Sequence, residues 1–476
     1  MNSRLLLGAI GGFSLLIMHC GPANPSSGQG SASTGEVGGT AGAAGNGGGG
    51  GGGGAGGGCV PLVSESIAGF QRYAVDAAAD GPAYVSIGDI DGDGRKDLVV
   101  SNIGPVIHDD TTGAITLSRA RINLYRRLSD GFDCWEKTPI LTDSEKFYFP
   151  GQSTLEDIDG DGDLDIFAPF GFFVCQFDSQ IGGPCGALAW FENQGGSFVR
   201  HDIVPFGHDH FFHKAKFIDI DGDGIKDLVT VGEAFSGPKA QWFKGTKTAD
   251  RFDTTAHPIG DGLGSFPEVL DIDGDGDLDL ASAEFFVTNG SFAWFEQTEA
   301  PSMVNPNGTW VRHVINDDSS KSIQLSMVPN LYGDGLTRAV GTNHTNINKM
   351  PPDTVESAVF AFDIPNDPTL PWPKKVISSG IVCRPNMGVA MQGAPGVFGY
   401  GDIDGDNDID LAVSGDGDVH TYWLEQTAPG EFATHVLEEQ LGQAGGGHVV
   451  DIDGDGRNEV VFTGYEDNRV YVYTRP

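Results

Sequence analysis

The chain has 476 residues, with Lys+Arg 28 against Asp+Glu 66 and a formal net charge of −38. That balance excludes nucleic-acid binding through a basic patch and electrostatic docking on anionic lipid. Much of the acidity is packed into short loops, where carboxylates repel one another unless a cation sits among them.

In chain order, the first segment, MNSRLLLGAIGGFSLLIMHC, reads as a secretory signal. Arg4 supplies the positive start, and Leu5 to Met18 is an apolar stretch too short to favour a spanning helix. It ends at Cys20, followed by GPANPSSGQG. The segment resembles a bacterial lipoprotein signal, which implies a lipidated Cys20 and a cell-surface or outer-membrane location. Simple cleavage, with release to the periplasm or medium, is the alternative. Residues 21–58 are almost wholly Gly, Ala, Ser and Thr. They lack the apolar surface needed to offset chain entropy and read as a disordered tether.

Residues 59–476 carry one unit seven times. DIDGDGRKDLVV starts at Asp89, DIDGDGDLDIFA at Asp157, DIDGDGIKDLVT at Asp219 and DIDGDGDLDLAS at Asp271. DIDGDNDIDLAV starts at Asp402, DIDGDGRNEVVF at Asp451, and a worn copy, NLYGDGLTRAVG, at Asn330. A small-residue or apolar run precedes each motif and a β-branched run follows it. An aromatic run such as LAWFEN or TYWLEQ comes next, then a polar-alternating run such as WVRHVIN. Short alternating runs bounded by Gly, Pro, Asn and Asp predict four strands per unit, and no long segment has helical periodicity. A four-stranded unit repeated at about 60 residues predicts an all-β, seven-bladed β-propeller. The chain ends on the third strand of the seventh unit. FQRYAVD, Phe70 to Asp76, matches the missing fourth strand and is expected to close the ring, which removes exposed edges.

Within the first motif, Asp89, Asp91, Asp93 and Asp97 occupy positions one, three, five and nine, and Arg95 at position seven offers a backbone carbonyl. Gly94 at position six permits the positive φ of a tight turn. Hard oxygen donors on a flexible loop suit Ca²⁺ rather than Zn²⁺. The same reading gives Asp157, Asp159, Asp161, Asp163 and Asp165, then Asp219, Asp221, Asp223, Ile225 and Asp227. It continues with Asp271, Asp273, Asp275, Asp277 and Asp279, with Asp402, Asp404, Asp406, Asp408 and Asp410, and with Asp451, Asp453, Asp455, Arg457 and Glu459. About six calcium sites follow from that ligand pattern. An EF-hand is rejected, because position twelve is Val100 inside a strand pattern. In the fifth unit Tyr332 and Arg338 replace ligands, so no ion is expected there.

These D-x-D-x-D-G-x-x-D loops resemble FG-GAP/VCBS repeats, known from integrin α-subunit propellers and many bacterial surface proteins. The resemblance covers roughly residues 70–476 and implies calcium loops between the first and second strand of each blade, where the ion pins the turn. The WFEN-like strands are also similar to those of metal-dependent sugar lyases or dehydratases, with no catalytic set that aligns.

Alternating strand direction puts the remaining loops on the opposite face. There, FGHDHFFHKAKF carries His208, His210 and His213; Glu233, Glu284 and His344 follow second strands, Arg384 sits in a long loop, and His448 enters the seventh inner strand. These read as a second metal or acid/base site, or as separately satisfied loop residues. His201, His313 and His435 recur in outer strands and are assigned to blade packing or surface. Cys175 and Cys185 can pair in one loop, Cys59 and Cys134 are a second candidate pair, and Cys383 is left over. The function expected is that of a surface binding or scaffold module for a protein or polysaccharide. The alternative is an extracellular metal-dependent carbohydrate-active enzyme, its site on the His-rich face.

Overall fold

The computed structural model describes residues 64–108, 114–142, 144–234, 236–287, 291–385 and 393–475. The signal, Cys20, the Gly-rich tether and Cys59 lie outside them. Seven antiparallel sheets surround one axis. Blade 1 comprises Pro82–Gly88, Asp97–Asn102, Arg121–Arg127 and Trp135–Leu141. Blades 2 to 6 repeat the order, ending at the outer strands Phe198–His208, Phe252–Asp261, Thr309–Asn316, Lys374–Ser379 and Glu431–Glu438. Blade 7 is completed across the chain's length, with Phe70–Asp76 on Arg469–Thr474 in the register Gln71 with Thr474 and Tyr73 with Val472.

Each second strand is buried along its whole length; DLVVSN and DIFAPF have no exposed residue. A strand covered by blades on both faces carries a continuous apolar centre, such as LVV or IFA, while the outer strands alternate. The core is accordingly a ring of interblade layers. Ile122 and Leu124 of blade 1 meet Ile166 and Phe191 of blade 2. Trp423 of blade 6 meets Phe462 of blade 7, and Val472 of blade 7 meets Val100 of blade 1. The outer histidines pack as expected. His201 stacks on Trp190 at 4.4 Å, His313 lies against Trp294 at 4.8 Å and His435 stacks on Trp423 at 4.7 Å, each also bonded to a Glu of the same third strand.

Three features go beyond the sequence reading. Ser64–Ile67 adds a fifth strand to blade 7 through a two-residue turn, Ala68 and Gly69, both at positive φ, the geometry that tight hairpins favour. A hairpin of Val106–His108 and Ile115–Leu117 grows from blade 1. A 3₁₀ turn, Phe173–Phe177, sits in the blade 2 loop, held by the Cys175–Cys185 disulfide. Cys134 is disulfide-bonded, and Cys383 is free and buried. Among the described residues, no helix is long and apolar enough to cross a membrane.

Candidate functional site

The acidic loops lie between first and second strands, and their own backbone shapes them. The carboxylate at position one accepts amide hydrogens from within the turn: Asp89 from Asp93 and Gly94 at 3.1 and 2.9 Å, Asp271 from Gly274 and Gly276 at 2.7 and 3.2 Å. Position nine is buried and ties the loop to the third strand. Asp97 accepts from Ile90 at 3.1 Å and Arg127 at 2.9 Å, and Asp227 from Ile220 at 2.9 Å and Gly245 at 2.7 Å. Asp165, Asp279 and Asp410 repeat this, and Glu459 reaches Ile452 with its longer arm.

In the first four loops, positions one, three and nine bring ligand oxygens within 4.8 Å of one another, as in Asp271, Asp273 and Asp279. Burial first, then neighbouring carboxylates, pushes Asp97 to about 6, Asp279 to about 7 and Glu459 to about 7. Position seven is crowded where it is Asp: one oxygen each of Asp163, Asp277 and Asp408 is buried with no hydrogen-bond partner. Oxygen-only donors, mutual repulsion and unpartnered oxygens together fit a hard divalent cation. Blade 3 supplies a partial substitute, since Lys244 bridges Asp221 and Asp223.

Blade 5 keeps the turn and replaces the charge pattern. Asn330 accepts from Gly335 at 2.6 Å, as Asp89 does from Gly94. Arg338, at position nine, donates to Asp334 at 2.8 and 2.7 Å and to Asp363 at 2.6 Å, and its guanidinium lies over the Tyr332 ring at 4.0 Å. The guanidinium provides in place the positive charge that an ion would bring.

On the opposite face the axis opens into a cavity of 190 Å³. The residue six places after position nine lines it in every blade: Ile103, Gly171, Glu233, Phe285, His344, Asp416 and Tyr465. One scaffold position thus offers seven different groups to a common centre. Phe149, Phe172 and Phe286 add aromatic wall, and Tyr84 meets Phe266 from the opposite side of the ring at 6.1 Å between centroids.

Two imidazole–carboxylate pairs face this cavity. His213 Nε2 is 3.2 Å from Glu233 Oε2, while the buried Glu233 Oε1 has no partner. Burial raises the Glu233 carboxyl above its ordinary range, opposed by His213. Gly264 makes room, since a Cβ there would sit 2.6 Å from Glu233 Oε1. His344 Nδ1 is 3.0 Å from the Pro395 carbonyl, which only accepts, so Nδ1 carries the proton and Nε2 faces Asp416 at 3.6 Å. Burial raises Asp416, and His344 opposes the shift.

Of the eight residues singled out on this face, the structure brings His213, Glu233 and His344 to the cavity. Glu284 is one place out of register with the lining series. Just past the strand Asp279–Ala283, Phe285 lines the cavity while Glu284 is buried against Arg312, whose Nη2 donates to its two oxygens at 2.6 and 2.8 Å. Arg384 pairs with Glu466 at 2.8 Å, and His448 sits beside Gln152 at 3.3 Å. His208 and His210 gather at the corner between blades 2 and 3. Asp416 was missed because GDGD reads as a turn; counting six from each ninth loop position finds it.

Comparison with known proteins agrees with the repeat structure. The FG-GAP-like repeat family matches residues 219–282 and 402–462. The fold is similar to that of the Pseudomonas aeruginosa periplasmic gluconolactonase PpgL, at 15% identity over 76% of this chain and 86% of that one, with a TM-score of 0.44. No curated protein matches the sequence. The chain carries FG-GAP-like repeats in a seven-bladed β-propeller.

Proposed function

We propose that this FG-GAP-repeat propeller is an exported, calcium-stabilised binding module whose axial cavity takes a sugar unit of a polysaccharide. The carrying observation is Glu233: a buried carboxylate oxygen without a partner, set in a largely aromatic wall. Leaving such an acceptor unmet is costly, and a hydroxyl donor relieves it. A sugar ring offers hydroxyls at its edge and C–H faces for Phe172, Phe285 and Tyr465. The small concave shape suits a ring better than a protein surface. Export rests on the N-terminal reading and calcium on the loops.

The test is a glycan screen of the purified calcium-loaded protein, followed by titration calorimetry. Glu233→Gln is expected to weaken the selected glycan by about tenfold to a hundredfold, the loss of one charged hydrogen bond of 1.5–3 kcal/mol. Unchanged affinity in Glu233→Gln, or no glycan bound, overturns the proposal. A second reading, a carbohydrate-active enzyme, is favoured by the convergence of His213 with Glu233 and of His344 with Asp416 on one cavity. Groups so paired can exchange a proton with a bound hydroxyl. Product release from the bound glycan, lost in His213→Gln, would select that reading.

A further inference from the structure

The proposed function leaves His208, Asp209 and His210 unused. They form the corner between the outer strand Phe198–His208 and the inner strand Phe211–Ile218. One ligand atom from each lies within 4.8 Å of the others. Asp209 Oδ1 is 3.5 Å from His208 Nδ1 and 2.9 Å from His210 Nδ1. The edge between donors around a tetrahedral zinc with ordinary bond lengths is roughly 3.3 Å, so the three atoms already stand near one coordination sphere.

The His210 amide donates to His208 Nδ1 at 3.1 Å, so that nitrogen is unprotonated, and a metal bound there takes the lone pair from the amide. His210 is held firmly. Its carbonyl lies 1.7 Å from where a Cβ on Gly186 would stand, and its own Cβ is 3.0 Å from the corresponding point on Gly232, so both positions must be glycine for the corner to seat. The His210 ring is buried and its Nε2 has no partner. Asp209 is two-thirds exposed, at 67%, which leaves the outer side open for a metal to arrive and for water to complete its shell.

We propose that His208, Asp209 and His210 form a transition-metal site of zinc type, separate in place and chemistry from the oxygen-only loops of the other face. Two imidazoles and one carboxylate favour Zn²⁺, Ni²⁺ or Cu²⁺ over Ca²⁺. The ion braces the corner from which the strand carrying His213 begins.

The experiment is titration of the full calcium-loaded protein with Zn²⁺ alone, by calorimetry and equilibrium dialysis in excess Ca²⁺. One zinc equivalent is expected to be retained. His208→Gln is expected to weaken it by at least about tenfold, on the scale of perturbed metal shells, and His213→Gln to leave it intact. Co²⁺ in place of Zn²⁺ is expected to give visible absorption bands that His208→Gln removes. The half-buried His208 carries the test even if variants of the buried His210 fail to fold. Zinc uptake equal in wild type and His208→Gln, no uptake in excess Ca²⁺, or loss of the equivalent in His213→Gln each overturns the proposal.

Discussion

Arg338 separates the work of an ion from the work of the turn. Its guanidinium is bonded to Asp334 and Asp363, and hydrogen bonding to it holds the Asp334 carboxyl down at about 2. Asp273 has no such partner; burial and the neighbouring Asp275 raise it. Arg338→Met is therefore expected to lower the melting temperature equally in calcium and in EDTA. Asp273→Asn, which keeps an oxygen for the Asp275 amide, is expected to lower it in calcium only. Scanning calorimetry of both variants in both buffers checks this; a calcium-dependent effect at Arg338 would contradict it. A different residue sets the acid response. Burial, then the charge of Lys214, depresses His448 from 6.5 to about 4, and Lys214 itself is held down at about 8 by burial and Lys216. Since the folded form binds fewer protons than the unfolded chain, this contribution is fully present above 6.5 and is lost as pH falls toward 4. At 1.36 kcal/mol per unit, wild type should lose about 2–3 kcal/mol more than His448→Gln between pH 7 and pH 4.5. Urea melts at the two pH values read that difference, and equal losses would refute it.

At the scale of the element, one carboxylate fastens each acidic loop to its blade. Asp227 receives an amide hydrogen on each oxygen, from Ile220 in the loop and Gly245 at the end of the third strand. Asparagine turns one of those acceptors into a donor facing another donor. Asp227→Asn is thus expected to cost about 1–3 kcal/mol, the range for a buried group left unmet, and to do so in EDTA as well as in calcium; an effect confined to calcium would make Asp227 a ligand alone. This position also shows what sequence can reveal. The acidic spacing, the β-branched run after it and the WFEN-like third strand are local patterns, so the blades and their loops were legible before any coordinates. The cavity was not, because it is assembled from single side chains about 60 residues apart, brought together only by ring closure. His213, Glu233 and His344 stood out as polar residues beside strands. Phe285, Asp416 and Tyr465 did not, since an aromatic or a turn aspartate is ordinary at a strand end. Glu284 misled by one residue, since its neighbour Phe285 takes the cavity position.

For the whole molecule, stability depends on a ring in which every blade borrows half of its core from the next. Blade 7 closes only through Phe70–Asp76, which buries Phe70 and Val75 and carries Arg72 to Glu438 of blade 6. Arg475 adds its guanidinium over Phe70 and Trp423 at 5.9 and 4.8 Å. Without that strand, Arg469–Thr474 becomes an open edge with unpaired amides beside exposed apolar surface, the condition that invites pairing with another chain. A chain beginning after residue 76 is therefore expected to self-associate and to lose the single sharp melt of the closed ring. Light scattering after size exclusion and calorimetry in saturating calcium measure both effects. Calcium is not expected to rescue this variant, because each acidic loop joins two strands of one blade and none spans the missing closure. A truncated chain that stays monomeric with an unchanged melt would show that the seven blades hold together without the strand that joins the two ends.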